Sequence, residues 1–294
     1  AAKLLAVAER GRPNDSGILT SSAVVLERRG RWPEALARLR RAAELDPRSV
    51  EANLAAAEGF GLTRDYSTAL RYAERAIAAD SDAVDPHHVK AQLQLLLGNR
   101  AASAETVRRA ILRLGAERVA ASEGFNRMAL PLDSADLPAL ERVTPSAFRD
   151  NRILYLYWRM NLYDIRQPER ARVYADSLLR AGQELIRDRQ QDYQLHGGVA
   201  WLSVVLGRNE LAVAEARRAM ALVPITRDAV EWGEAARRAA AVFARAGETE
   251  AAVDLLALML GVPSWISVPW LRTDPQWAPL RGHARFERLL RGSA

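Results

Sequence analysis

Apolar and small residues recur along this chain at two periods. Within segments they follow helical spacing, as at Leu36, Leu39 and Ala43, with arginines between them. Across segments they return every 34 residues. Ala23, Ala57 and Ala91 share one phase, and Ala42, Ala76 and Ala110 another. Ala35, Ala69 and Ser103 form a third small set, and Leu39, Ala73 and Val107 an apolar one. Small residues suit places where two helices approach closely, and large apolar ones suit gaps that must be filled. The pattern predicts a helix–turn–helix unit used three times over 16–117. Trp32-Pro33-Glu34-Ala35 starts its second helix, with proline and an acid in the first turn. Asp46-Pro47 ends it, because proline lacks a donor and disfavours helix in the residue before it. Three phases weaken between copies: Gln94 follows Leu26 and Phe60, Arg100 follows Trp32 and Tyr66, and Arg64 interrupts Gly30 and Gly98.

On these residues the chain resembles the tetratricopeptide repeat family. The best unit, 16–49, carries Ala23, Leu26, Gly30, Trp32, Ala35, Leu39, Ala42 and Pro47 at the family's signature phases. Units 50–83 and 84–117 keep fewer of them, with Ser81 and Gly115 at the proline phase. A fourth unit begins near Tyr193, with Ala200, Gly207, Ala212, Ala216, Ala219 and Pro224 in phase; a fifth begins near Gly233, with Ala240, Phe243, Gly247, Ala252 and Leu256. The resemblance implies an all-α, right-handed solenoid of antiparallel helix hairpins. Each hairpin exposes an apolar face that only the next can cover, so stacking buries a continuous core beside an extended concave surface.

Four regions are expected: N-terminal units over 1–117, preceded by a partial helix whose partner lies upstream; degenerate helical repeats over 118–192; C-terminal units over 193–262; and a capping tail over 263–294. In the irregular middle, 130–138 reads as a loop, Thr144-Pro145-Ser146 as a helix start, and Gln167-Pro168 as a second-helix start. The tail, with Leu271, Asp274-Pro275, Trp277, Pro279-Leu280-Arg281, Arg285-Phe286 and Leu289-Leu290, resembles the end of repeat regions appended to bacterial serine/threonine protein kinases, nucleotide cyclases and winged-helix regulators. Phe286, Leu289 and Leu290 share one face of a short closing helix, and Trp265, Trp270 and Trp277 are placed to seal the last hairpin.

Composition narrows the chemistry. The 294 residues hold no cysteine, which removes thiol nucleophiles, disulfides and cysteine-based zinc sites. There are 42 basic against 36 acidic residues, and lysine occurs only at Lys3 and Lys90. The high pI is therefore an arginine bias more than a strong field at neutral pH. His87-His88 beside Asp80, Asp82 and Asp85 is the one metal-like cluster, but adjacent helical residues diverge by about 100°, and the reading is an acidic turn leading into a helix. No phosphate-cradling glycine loop, nucleophile elbow or His-Glu-x-x-His motif occurs. No catalytic residue, metal or cofactor is assigned, and no apolar run is long enough to span a bilayer.

What remains is the groove. The resemblance implies that the first helix of each unit lines the concave face through its second, fifth, sixth and ninth residues. That points to Leu54, Glu58, His88, Gln92 and Trp201, with Tyr157 from the aromatic run, as contacts for an extended or helical peptide. The lysine and asparagine pattern of members that clamp a chaperone's C-terminus is absent. The expectation is a non-enzymatic protein-interaction scaffold, the interaction module of a bacterial signalling protein, on the cytoplasmic or periplasmic side. The alternatives are a nucleic-acid-binding repeat protein, drawn from Arg28, Arg29, Arg31, Arg38, Arg40 and Arg41, and a sensor pocket around 155–158. Partner identity and oligomeric state are not encoded in any motif.

Overall fold

The computed structural model describes residues 2–122, 124 and 132–292. Within them the chain is helical, without strands. Helix α1 (Ala2–Gly11) precedes three hairpins: α2 (Ser16–Arg28) with α3 (Trp32–Leu45), α4 (Val50–Leu62) with α5 (Tyr66–Ala79), and α6 (Val84–Leu96) with α7 (Arg100–Leu114). The middle holds α8 (Ala116–Ala120), α9 (Leu137–Glu141), a 3₁₀ turn at Pro145–Phe148, then the hairpin of α10 (Arg152–Tyr163) and α11 (Pro168–Asp188). Helices α12 (Tyr193–Val205) and α13 (Asn209–Leu222), then α14 (Ala229–Ala246) and α15 (Thr249–Gly261), complete the hairpins. The tail forms α16 (Val268–Thr273), a second 3₁₀ segment (Pro275–Leu280) and α17 (Ala284–Leu290). Part of the loop expected over 130–138, including Leu130 and Pro131, lies outside the described residues.

The repeat phases identify the buried contacts. Ala23, Ala35, Ala42, Ala57, Ala69, Ala76, Ala91, Ala110, Ala200, Ala212 and Ala240 are all completely buried, so neighbouring helices close on methyl groups. Helix starts follow side-chain caps: Asp15, Ser49, Asp65, Asn99, Asp192 and Asp228 each accept a backbone N–H of the following turn. The third unit handles its polar departures locally. Thr106 donates to Gln94 at 2.8 Å, and Ser103 donates to the Ala91 carbonyl at 2.7 Å. The fifth unit differs from its expected start near Gly233. Asp228 caps the N–H groups of Val230 and Glu231, and the helix runs from Ala229.

The stack closes on itself. A single core joins Ala23, Leu26, Phe60, Leu62, Leu93 and Leu96 of the first three units with Trp232, Phe243, Trp265, Trp277 and Phe286 of the last unit and tail. Three sets of bonds fix this closure. Arg28 pairs with Asp228 and Glu231 at 3.2 and 3.0 Å. The Arg64 guanidinium donates to the carbonyls of Met259, Val262 and Ile266 and to the Ser264 hydroxyl, while Ser264 donates its N–H to the Leu62 carbonyl. Ser267 donates to the Leu96 carbonyl. The tail therefore does more than seal the last hairpin: Trp265 lies against Gly61 and Pro269 against Gly98, both in the N-terminal units. A second core, around Trp158, Tyr163, Leu140 and Leu179, holds the middle region to α12.

Candidate functional site

Closure brings the inner faces of distant units opposite one another. Leu54 and Glu58 of α4, and Asp85 and His88 of α6, form one wall of a cavity of about 1090 Å³; Glu234, Arg237 and Arg238 of α14 form the other. Glu117 and Arg118 of α8 lie at one side. Gly124 approaches the His88 ring so closely that a Cβ there would fall 2.1 Å from Nδ1. A smaller recess of about 140 Å³ adjoins the cavity through Glu234 and Arg238, and reaches Tyr193, Gln194 and Gly197 on α12.

The charges are mostly matched within the protein. Glu234 pairs with Arg237 at 3.2 Å, and Glu231 at the recess pairs with Arg28. Beside the cavity, between α2 and α4, Glu27 is buried with its Oε1 lacking a hydrogen-bond partner. Burial first, and the neighbouring Glu58 second, push its carboxyl up to about 8. His87 and His88 diverge as their helical positions require: His87 Nε2 meets the Ser81 carbonyl at 3.1 Å, while His88 faces the cavity.

The six expected groove residues separate into four environments. Leu54, Glu58 and His88 meet in the cavity wall. Gln92, one turn after His88, is buried. Tyr157 packs against the second core, away from these lining residues. Trp201 packs against both cores, with the Arg245 guanidinium 5.1 Å from its ring centre. Arg245 is itself held by both carboxylate oxygens of buried Asp164, at 2.7 and 2.9 Å. The aromatic run around Tyr155 and Trp158 encloses a cation of its own. Arg159 stands 5.2–5.9 Å from the rings of Tyr155, Trp158, Tyr163 and Tyr174.

Sequence periodicity does not single out Arg237 and Arg238. They sit at inner phases of the fifth unit, but that unit meets the second only through closure. The signal available was their place at the fifth and sixth positions counted from Gly233.

Consecutive hairpins of 13–15-residue helices, repeating every 34 residues and closing on buried alanines at the signature phases, decide the architecture. The units form an all-α stack of helix hairpins that resembles tetratricopeptide repeats. No family model matches the chain, and no curated protein matches it. Among solved structures it is similar to YrrB, described as a TPR protein with an unusual peptide-binding site, at 14% identity over 76% of this chain and 93% of that one, with a TM-score of 0.37. It is similar to a tetratricopeptide repeat protein from Parabacteroides merdae at 17% identity, over 88% and 91% of the two chains, with a TM-score of 0.38. PilF of Pseudomonas aeruginosa matches at 15% identity over 96% and 99%, with a TM-score of 0.37. Similarity at these scores carries no functional argument, so the functional reading rests on this chain's own repeats and cavity.

Proposed function

We propose that the chain is a non-catalytic protein-interaction scaffold whose repeats receive a short segment of a partner protein in the cavity between α4, α6 and α14. The observation that carries this reading is the convergence of inner-face residues from the second, third and fifth units on one space. Its volume of about 1090 Å³ lies just above the range of about 300–1,000 Å³ usual for ligand pockets. The Arg28 and Arg64 bonds tie the first two units to the last unit and tail, so the surface is preformed and little ordering entropy is lost on binding. The tail's resemblance to repeat regions appended to bacterial kinases and cyclases supports a place as the interaction module of a signalling protein.

The basic cluster supports a protein partner over a nucleic acid. Arg28 bonds Asp228 and Glu231, Arg31 bonds Glu34, Arg38 bonds Glu9, Arg41 bonds Asn14, and Arg40 stacks on Phe60. The test is affinity capture from a bacterial lysate with nuclease present, comparing the native protein with Leu54→Arg at matched melting temperature. A discrete protein partner that is retained by the native chain and lost from the variant is expected. Recovery of nucleic acid alone, falling steeply with salt, would overturn the reading.

A further inference from the structure

We infer that Arg238 is the anchor for a carboxylate on the bound segment, an inference that rests on the cavity being the binding site proposed above. Arg238 lines both the main cavity and the smaller recess, so it stands where they meet. It is half-buried, yet among the described residues it makes no hydrogen bond or ion pair. The carboxylates nearest to it in the recess already have arginines of their own: Glu231 has Arg28, and Glu234 has Arg237. The lining's other charged groups lacking such a bond, Asp85 and Arg118, are exposed. Asp85 also sits in the first turn of α6, where the helix dipole favours a negative charge. The uncompensated charge inside the site is thus a guanidinium.

The opposing backbone makes room for that guanidinium. Arg238 lies across Gly197 of α12, and a Cβ at Gly197 would fall 3.1 Å from its Nη1 and 3.3 Å from its Cδ. The recess of about 140 Å³ has the volume of about four or five waters, enough for a carboxylate and not for a large side chain. A planar guanidinium binds a carboxylate through two parallel N–H bonds, which fixes orientation as well as position. The carboxylate is supplied by a chain terminus or by an acidic side chain, and the experiment separates the two.

The test is a fluorescence-polarisation screen of the full chain against a panel of octapeptides of varied sequence. Each peptide is made with a free C-terminus, with an amidated C-terminus, and with an internal Glu beside an amidated C-terminus. Arg238→Gln, Arg238→Lys and Gly197→Ala are measured in parallel, with melting curves for each. Binding by carboxylate-bearing members is expected, weakened about tenfold or more by Arg238→Gln. Arg238→Lys should recover only part of that loss, because charge without the fork is insufficient. Gly197→Ala should weaken the same peptides while leaving the melting temperature equal or higher, since alanine favours the helix. A preference for free C-termini assigns the terminus as the source; equal binding of internal Glu assigns the side chain. Peptides that bind in the cavity equally well when amidated, or equally to Arg238→Gln, overturn the anchor but leave the scaffold reading. Binding by no peptide overturns both.

Discussion

Glu27 shows how a single residue can carry a cost that no repeat pattern reveals. The residue is 8% exposed, packed against Gly59, where a Cβ would come within 2.6 Å of Oε1. With its pKa raised from 4.5 to about 8, the folded chain binds this proton more tightly than the unfolded chain does. Stability from this group is therefore intact below about pH 4.5 and declines as pH rises towards 8. Glu27→Gln should remove that decline. The variant should match the native protein near pH 4.5 and exceed it at pH 8 by on the order of 4 kcal/mol in urea unfolding. A difference independent of pH would show that Glu27 is ionised in the fold. At this scale Leu54, Glu58 and His88 were readable as cavity residues, because a repeat phase fixes which way a side chain faces relative to its own hairpin. Arg245 over Trp201 and Arg159 among the tyrosines were not, because those partners come from other elements.

At the scale of elements, the turns inside the hairpins are where sequence and tertiary demands conflict. Gly30, Gly98, Gly207 and Gly247 take positive φ after the first helices of their units, a region that costs other residues about 1 kcal/mol or more. Arg64 occupies the same phase at φ 67°. Its side chain explains the departure, since it satisfies carbonyls at the end of α15 and in the following turn. Arg64→Gly should relieve the backbone and still destabilise the protein by about 2–3 kcal/mol, because the bonds lost are charge-assisted. Hydrogen exchange should rise across 259–267. A melting temperature equal to or above that of the native protein would mean that backbone relief outweighs the latch. The buried Asp164–Arg245 pair plays a related part, tying the α10–α11 turn to α14 and binding the irregular middle to the regular repeats.

At the scale of the whole molecule, closure decides what the repeats can bind. An accessible surface of 14005 Å² is only modestly above the roughly 12,400 Å² expected for a compact monomer of this mass. The first and last units of the solenoid share one core, so its ends are in contact. Trp265 is a wedge in that closure, between the tail and Gly61 of α4. Trp265→Ala should cost about 3–5 kcal/mol. It should also raise the radius of gyration above the roughly 19–20 Å expected for a compact chain of this length. Unchanged small-angle scattering and unchanged exchange in α4 would show that closure does not depend on this contact.

The sequence by itself determined the hairpins of the first three units and their buried faces. Those features follow from contacts between near neighbours in the chain, which repeat phase, caps and prolines encode locally. Even the departure at Gln94 was visible there, and its hydrogen bond with Thr106 reaches only twelve residues away. Only the tertiary structure decided that α14 faces α4 and α6 across a cavity, that Arg64 latches the last unit, and that Trp201 is sheathed by Arg245. Those contacts join residues separated by tens to some two hundred positions. A solenoid's curvature is the sum of small rotations between units. No single repeat states that sum, so where the ends meet is settled by the assembled stack.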